Sequence, residues 1–264
     1  MVDFKQKDFY TVSDLQEIVR LLRAPGGCPW DREQTHESIR RNFLEEAYEV
    51  VEAIDEKNSD HLKEELGDVL LQVLFHTCIE EENGRFGLDD VADGISKKLI
   101  FRHPHVFGNR EVSGTGEVLT NWEDLKRQEK GQALHTDALM SVARSLPALW
   151  RAEKIQAKAK KAGFDWPNLN GAMDKLAEEL LELQIAVKEN SNVKEELGDL
   201  LFAAVNVARF LSCDPEEVLD EASDKFTNRF RLVEEKAMQK GKRLEEMSLQ
   251  ELDALWNEVK AQDK

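Results

Sequence analysis

The 264-residue sequence has few of the features that stabilise small secreted proteins or anchor membrane proteins. Its three cysteines, Cys28, Cys78 and Cys213, are widely spaced and odd in number, so they form neither a disulfide framework nor a CxxC metal site. No run of 18 apolar residues exists, which excludes a transmembrane helix. The opening segment, MVDFKQKDFY, lacks the apolar core of a signal peptide, so we expect a cytoplasmic protein without a membrane partner.

Positive charge is also scarce. The chain has 36 lysines and arginines against 53 aspartates and glutamates, which gives a formal net charge of -17. Because so acidic a chain repels a phosphate backbone, no nucleic-acid partner is expected. Hydrophobic residues make up 41% of the chain, enough for a buried core, and this content argues against a disordered protein.

Proline and tyrosine are rare, with six and two residues. No proline lies between Pro29 and Pro104 or after Pro215, and alternating strand patterns are absent. Leucine, alanine, glutamate and lysine, which favour helices, dominate these stretches. The sequence therefore predicts an all-α fold of paired helices. One such pair is a hairpin of helices at 171–188 and 193–211, joined by a three-residue turn.

The chain also contains a long internal repeat. The hexapeptide KEELGD at 63–68 recurs unchanged at 194–199, and the order and approximate spacing of the surrounding motifs agree over some 80 residues. This length exceeds the period of a solenoid repeat and indicates a duplicated domain. We predict two tandem helical domains, at 1–130 and 141–264, joined by a linker at 131–140. The other matching elements are 45–49 with 178–182, Lys98 and Arg102 with Lys225 and Arg229, and Trp122 and Lys126 with Trp256 and Lys260.

Each copy carries acidic residues three positions apart on two consecutive helices. In the second copy these are Glu179 and Glu182, then Glu196 and Asp199. Residues three apart share one helix face, and the short turn makes the helices antiparallel, so the four carboxylates can meet. A single such pair is usually a solvated surface, but the pairing, the flanking leucines and the recurrence favour a metal site. The equivalent acids of the first copy are Glu46, Glu49, Glu65 and Asp68.

The ligand chemistry narrows the choice of metal. Carboxylate oxygens without histidine or cysteine suit Mg²⁺, or alternatively Mn²⁺, better than Zn²⁺. Lys225 and Arg229, four residues apart on one helix, are cations that suit a polyphosphate bound to such a metal. Trp256 either stacks on a base or packs in the core, and the residues alone favour the core.

The EExxE and ExxD motifs on paired helices resemble those of the MazG family of nucleoside triphosphate pyrophosphohydrolases. The segments GCPWD at 27–31, RHPHVF at 102–107 and SLPAL at 145–149 resemble the full-length, two-copy members, so the resemblance covers nearly the whole chain. It implies hydrolysis of a nucleoside triphosphate between the α- and β-phosphates with Mg²⁺. It also implies a homodimer, because the family builds its four-helix carboxylate sites from two subunits.

The resemblance further implies roles for individual residues. In full-length members the second copy is catalytic and the first is structural or regulatory, although the first copy here keeps all four acids. The implied roles are metal ligation by Glu179, Glu182, Glu196 and Asp199, catalysis or water positioning by Glu178 and Glu195, phosphate binding by Lys225, Arg229 and Lys260, base contact by Trp256, and further nucleotide contacts by Lys175 and Lys194.

The resemblance favours a general enzyme that hydrolyses nucleoside triphosphates, either in nucleotide-pool house-cleaning or in modulation of the stringent response. Two alternatives remain open. A specialist pyrophosphohydrolase acting on dUTP or phosphoribosyl-ATP shares the four-helix carboxylate site. A helical regulatory module without catalytic activity belongs to a different class. A panel of nucleotide substrates separates the first alternative, and tests of metal binding and hydrolysis separate the second.

Overall fold

A computed structural model describes residues 4–129, 131 and 134–262, and these residues form helices and no strands. The prediction of an all-α fold is confirmed. None of the described helices is long and apolar enough to cross a membrane. The helices are α1 (Val12–Arg23), α2 (Pro29–Glu33), α3 (His36–Asp55), α4 (Ser59–Glu82), α5 (Leu88–Arg102), α6 (Pro104–Phe107), α7 (Thr115–Glu129), α8 (His135–Met140), α9 (Ala148–Lys161), α10 (Leu169–Glu189), α11 (Val193–Phe210), α12 (Pro215–Gln239) and α13 (Leu249–Gln262), with a 3₁₀ turn at Leu244–Glu246.

The chain divides into two compact units, residues 1–126 and 127–264. Each unit is built around a pair of long helices, α3 with α4 in the first and α10 with α11 in the second. The predicted linker at 131–140 contains α8, which packs against α9, while its residues 132 and 133 lie outside the described residues. The domain limits 1–130 and 141–264 stay a prediction.

The first unit packs α1 against the helix pair. Val19 of α1 and Leu74 of α4 are fully buried, and Ile39 of α3 joins the same apolar cluster. In the second unit, α9 packs on α11, and a separate apolar cluster joins α12 to α13 through residues such as Val233 and Val259. Each acid-bearing helix pair therefore has a third helix against one of its faces.

The turn between α10 and α11 keeps this hairpin tight. Asn190 and Asn192 have φ angles of +52° and +43°, in the left-handed region that asparagine tolerates better than most residues. The chain therefore reverses within three residues, and the predicted hairpin is confirmed. The turn between α3 and α4 is equally short. The two extra residues between the acids of the first copy arise because α4 has three more residues before its acid than α11, while α3 has one fewer after its acid than α10.

Helix α12 begins at the predicted Asp214–Pro215 cap. The Asp214 carboxylate accepts hydrogen bonds from the backbone N–H groups of Glu216 and Glu217, and Pro215 occupies the first helical position. The same carboxylate accepts a hydrogen bond from Trp150 Nε1 at 2.8 Å, which ties α9 to the start of α12.

Replacing this cap tests its contribution to the second unit. Asp214→Ala should lower the free energy of unfolding by about 1 to 3 kcal/mol, since it removes the cap and leaves a half-buried indole N–H unpaired. Urea unfolding followed by tryptophan fluorescence measures the change. Asp220→Ala, at an exposed position of α12, should change it by less than about 0.5 kcal/mol. Equal losses in the two variants would contradict the assigned role.

Candidate metal centres

Three carboxylates meet on the second helix pair. Glu179 from α10 and Glu196 and Asp199 from α11 each place one oxygen within 4.8 Å of the others. Glu179 is only 6% exposed, Glu196 is half-buried and Asp199 is exposed, so the group reaches from the packed helices to solvent. Three oxygen ligands with no histidine or cysteine fit Mg²⁺ or Mn²⁺.

The fourth predicted ligand lies beside this group. Glu182, one turn along α10 from Glu179, is exposed, and loss of hydration together with the charge of Glu179 raises the pKa of its carboxyl. The raised pKa means that ionising Glu182 beside the negatively charged Glu179 costs free energy. A divalent cation would remove that penalty.

Lys175 is the cation closest to the cluster on the same helix. Its Nζ lies 2.6 Å from Glu178 Oε1 and 2.7 Å from Glu179 Oε1, and these hydrogen bonds, Glu178 first, raise the pKa of the lysine. The ammonium therefore neutralises part of the carboxylate charge. The remaining predicted residues of this helix pair, Lys194 and Glu195, are exposed in the first turn of α11.

The first unit repeats the arrangement. Glu46 and Glu49 of α3 and Glu65 of α4 place oxygens within 4.8 Å of one another, and Glu65 is buried. Burial, followed by the charges of Asp68 and Glu49, raises the pKa of Glu46, and burial and Glu49 raise that of Glu65. The structure thus brings together three of the four acids predicted for each copy, with the fourth close by.

The cations beside the two clusters differ. In the register of the repeat, Asn42 of the first copy stands where the second has Lys175, and His61 stands where the second has Asn192. His61 Nε2 lies 3.2 Å from Glu65 Oε1, and its Nδ1 lies 2.8 Å from Glu56, which raises the pKa of the imidazole. His61 is not among the residues predicted from the sequence, although its four-residue spacing from Glu65 on one helix is a signal for this contact.

The predicted phosphate and base contacts lie on other helices. Lys225 and Arg229 are on α12, and Trp256 and Lys260 are on α13. The Trp256 ring is half-buried, and its centroid lies 5.2 Å from that of Phe226 on α12. Trp256 therefore contributes to the packing of α12 on α13, as the core interpretation predicted, while part of the indole stays accessible.

Comparisons with known proteins agree with this arrangement. The family model of the MazG nucleotide pyrophosphohydrolase domain matches residues 34–107 and 169–233, which include both acid clusters. The chain is 47% identical over 251 residues to the nucleoside triphosphate pyrophosphohydrolase/pyrophosphatase MazG of Thermotoga maritima, covering 95% of this chain and 96% of that protein.

Two further relatives are similar at comparable identity. A nucleoside triphosphate pyrophosphohydrolase of Escherichia coli K12 is 42% identical over 257 residues, covering 96% of this chain and 98% of that protein. The uncharacterized protein YabN of Bacillus subtilis is 48% identical over 259 residues, which cover 97% of this chain and 53% of YabN.

The repulsion within the first cluster predicts an unusual gain in stability. The raised pKa of Glu46 means that its ionised carboxylate destabilises the folded state near neutral pH. Glu46→Gln removes that charge and should therefore raise the thermal unfolding midpoint measured in EDTA. The gain should shrink as the pH falls through the raised pKa, since protonation then relieves the wild-type repulsion. Mg²⁺ should stabilise the wild type more than the variant. Glu45→Gln, which instead removes an exposed ion pair with Arg41, should not raise the midpoint; a similar gain there would contradict the account.

Proposed function

The chain belongs to the MazG family of nucleotide pyrophosphohydrolases, and on this premise we propose that it hydrolyses nucleoside triphosphates to nucleoside monophosphates and pyrophosphate. The observation that carries the proposal is the oxygen cluster of Glu179, Glu196 and Asp199 on one tight hairpin. In the cell, such an enzyme serves nucleotide-pool house-cleaning or modulates the stringent response in the cytoplasm.

Within this proposal, Glu179, Glu182, Glu196 and Asp199 hold Mg²⁺, with Mn²⁺ as a substitute. The bound ion would activate water and neutralise charge on the phosphates. The geometry of Lys175 supports a second role for that residue. Lys175 Nζ lies 2.7 Å from Glu179 Oε1. If that oxygen coordinated a metal ion, the ammonium would be able to donate a hydrogen bond to a phosphate instead.

The two neighbouring acids are assigned to the attacking water. Glu178 is held by Lys175, which fixes its carboxylate beside the cluster. Glu195 is exposed in the first turn of α11 and forms no ion pair within the described part of the chain, so its oxygens are available to orient the water and accept its proton. No covalent intermediate is required.

The other cations complete the proposed nucleotide site. Lys194 stands at the start of α11, where the helix dipole also favours a phosphate. Lys225, Arg229 and Lys260 are proposed to bind phosphates, and the accessible part of Trp256 is proposed to lie against the nucleotide. The charge of these side chains and the match of this region to the family model support these roles.

We assign catalysis to the second copy and a structural or regulatory role to the first, with domains at 141–264 and 1–130. Lys175 supports this choice, because its place in the first copy is taken by the uncharged Asn42. His61 adds support, since its Nε2 already lies 3.2 Å from the buried Glu65 of the first cluster.

A homodimer is the proposed assembly. The acid-bearing helices of the second unit expose large apolar side chains, which soluble monomers rarely gather on one hairpin. A second copy of the chain packed on this hairpin would bury them and close a four-helix carboxylate site. The exposed residues are Leu180, Leu181, Ile185, Leu197 and Leu201.

Matched double variants test the enzyme and the copy that carries it. Glu196→Ala/Asp199→Ala should lower pyrophosphate release from nucleoside triphosphates by at least about a hundredfold, because two metal ligands are lost. Glu65→Ala/Asp68→Ala, the equivalent change in the first copy, should leave most of the activity. Retained activity in the first variant would overturn the assignment to the second copy.

A substrate panel in the same assay separates the remaining alternatives. A general enzyme should hydrolyse several ribo- and deoxyribonucleoside triphosphates, whereas a specialist should show one strong substrate such as dUTP or phosphoribosyl-ATP. Absence of hydrolysis with either Mg²⁺ or Mn²⁺, together with no metal binding by calorimetry, would favour the non-enzymatic module.

The dimer is tested at the exposed apolar surface. Leu201, 54% exposed on α11, would be buried by the second copy, so Leu201→Glu should shift the mass measured by light scattering from that of two chains to that of one. Leu249→Glu, at an 81% exposed position on α13, should leave the dimer intact. A wild-type protein with the mass of one chain would contradict the proposal.

A further inference from the structure

Two histidines of the first unit meet where α3 begins beside α4. His36, the first residue of α3, places its Nδ1 atom 2.7 Å from Nδ1 of His76 on α4. The ring planes are 8° apart and the ring centroids are separated by 5.0 Å, so the imidazoles meet edge to edge. We propose that this pair is an acid-released clasp, closed while one proton lies between the two Nδ1 atoms and opened when each of them carries a proton.

Glu80 of α4 fixes the direction of the hydrogen bonds. This residue is 8% exposed, accepts a hydrogen bond from Arg85 Nη2 at 2.7 Å and lies 2.5 Å from His36 Nε2. Burial opposes its ionisation, but the hydrogen bonds from His36 and Arg85 outweigh burial and lower the pKa of the carboxyl. Because a carboxylate only accepts, His36 Nε2 carries a hydrogen. In the neutral pair His36 Nδ1 is therefore the acceptor, and His76 Nδ1 donates to it.

The number of protons on the pair decides whether the clasp holds. A first added proton occupies His76 Nε2, away from the shared edge, and a single hydrogen still lies between the Nδ1 atoms. A second added proton must occupy His36 Nδ1, so two N–H donors and two positive charges face each other at 2.7 Å. His36 also stands at the N-terminus of α3, where the helix dipole disfavours a cation. Repulsion then replaces the hydrogen bond.

The surroundings of His76 resist its protonation. The ring is half-buried, and its centroid lies 5.9 Å from that of Phe43 on α3. Burial, followed by the charge of His36, lowers the pKa of His76. An opened histidine recovers its ordinary pKa of about 6.5, so opening takes up protons as the pH falls below that value. The stability of the clasp is therefore complete above about pH 6.5 and is lost as the pH falls through the lowered pKa of His76.

The other charged groups near the pair leave this proton count unchanged. Glu80 and Arg85 form an ion pair at the Nε2 side of His36, and Glu37, the next residue of α3, is exposed. From α1, two arginines approach α4, but they pair with the two glutamates that follow Glu80. Within the described part of the first unit, α2 and α5 place no ionisable side chain in a hydrogen bond or ion pair with either imidazole.

The second copy of the repeat has apolar residues at the same three places. Leu169 is the first residue of α10, as His36 is of α3. Replacing a polar network by apolar residues is often neutral or stabilising, so the helix pair does not need the polar group for its fold. The titratable group therefore gives the first unit an acid response that the second unit lacks. In the register of the repeat, the residues that replace His36, His76 and Glu80 are Leu169, Val207 and Leu211.

Hydrogen exchange of the full chain, corrected for the intrinsic effect of pH, tests the clasp. Protection of the backbone amides of residues 39–44, near the start of α3, should fall by about tenfold or more between about pH 7.5 and about pH 5, because opening takes up a proton. The equivalent amides of α10, residues 172–177, are the internal control and should keep their protection. The matched variant His36→Leu/His76→Val/Glu80→Leu carries the residues of the second copy and should keep protection of 39–44 at both pH values.

Three results would overturn the clasp. They are equal protection of residues 39–44 at both pH values in the wild type, the same loss in the triple variant, and an equal loss at residues 172–177. Should the triple variant fail to fold, His76→Val alone gives the test. A single imidazole bonded to Glu80 keeps its hydrogen bond when it is protonated, so this variant should show no loss of protection, and a loss equal to that of the wild type would contradict the proposal.

Discussion

Mutual repulsion of carboxylates on two antiparallel helices is the constraint on which this molecule depends. In each unit three carboxylate oxygens lie within 4.8 Å of one another, and the fold holds them there with a three-residue turn and a third packed helix. Such a group is stable only beside positive charge. Lys175 supplies that charge in one copy, and in the other His61, whose pKa is raised chiefly by its hydrogen bond to Glu56, lies 3.2 Å from Glu65. A divalent cation would neutralise the carboxylates more fully, and under the proposed function it would also act on the phosphates.

The two copies share this constraint and differ in what surrounds it. In the second copy a lysine from the same helix pairs with the buried Glu179, and a cavity of about 560 Å³ between α9, α10 and α11 adjoins the acids. In the first copy His61 Nε2 lies 3.2 Å from Glu65 Oε1. Phe75 of the apolar core stands at the repeat position of Asn206, which lines the cavity in the second copy. A shared set of acids is therefore compatible with unequal roles, because binding a nucleotide requires more than a place for its metal.

Much of the fold was predictable because local signals agree with it. The helix formers, the gaps between prolines and the Asp214–Pro215 cap predict helices close to those observed, and the recurring acids predict which faces meet. The helix within the predicted linker has too short a pattern to stand out. The contact of His61 with Glu65 depends on where α4 begins, and the hydrogen bond from Gln156 Nε2 of α9 to the backbone carbonyl of Phe202 depends on how α9 packs against α11. Tertiary packing decides both, and local periodicity does not encode it.

The central claim is that the second acid cluster holds the metal ion that acts on a triphosphate. A crystal structure with Mn²⁺ and a nucleotide carrying a non-hydrolysable methylene bridge between its α- and β-phosphates tests it most directly. The account predicts anomalous density for manganese at coordination distance from Glu179, Glu196 and Asp199, with the phosphates against the same ion. An ordered nucleotide whose manganese lies away from these carboxylates would contradict it.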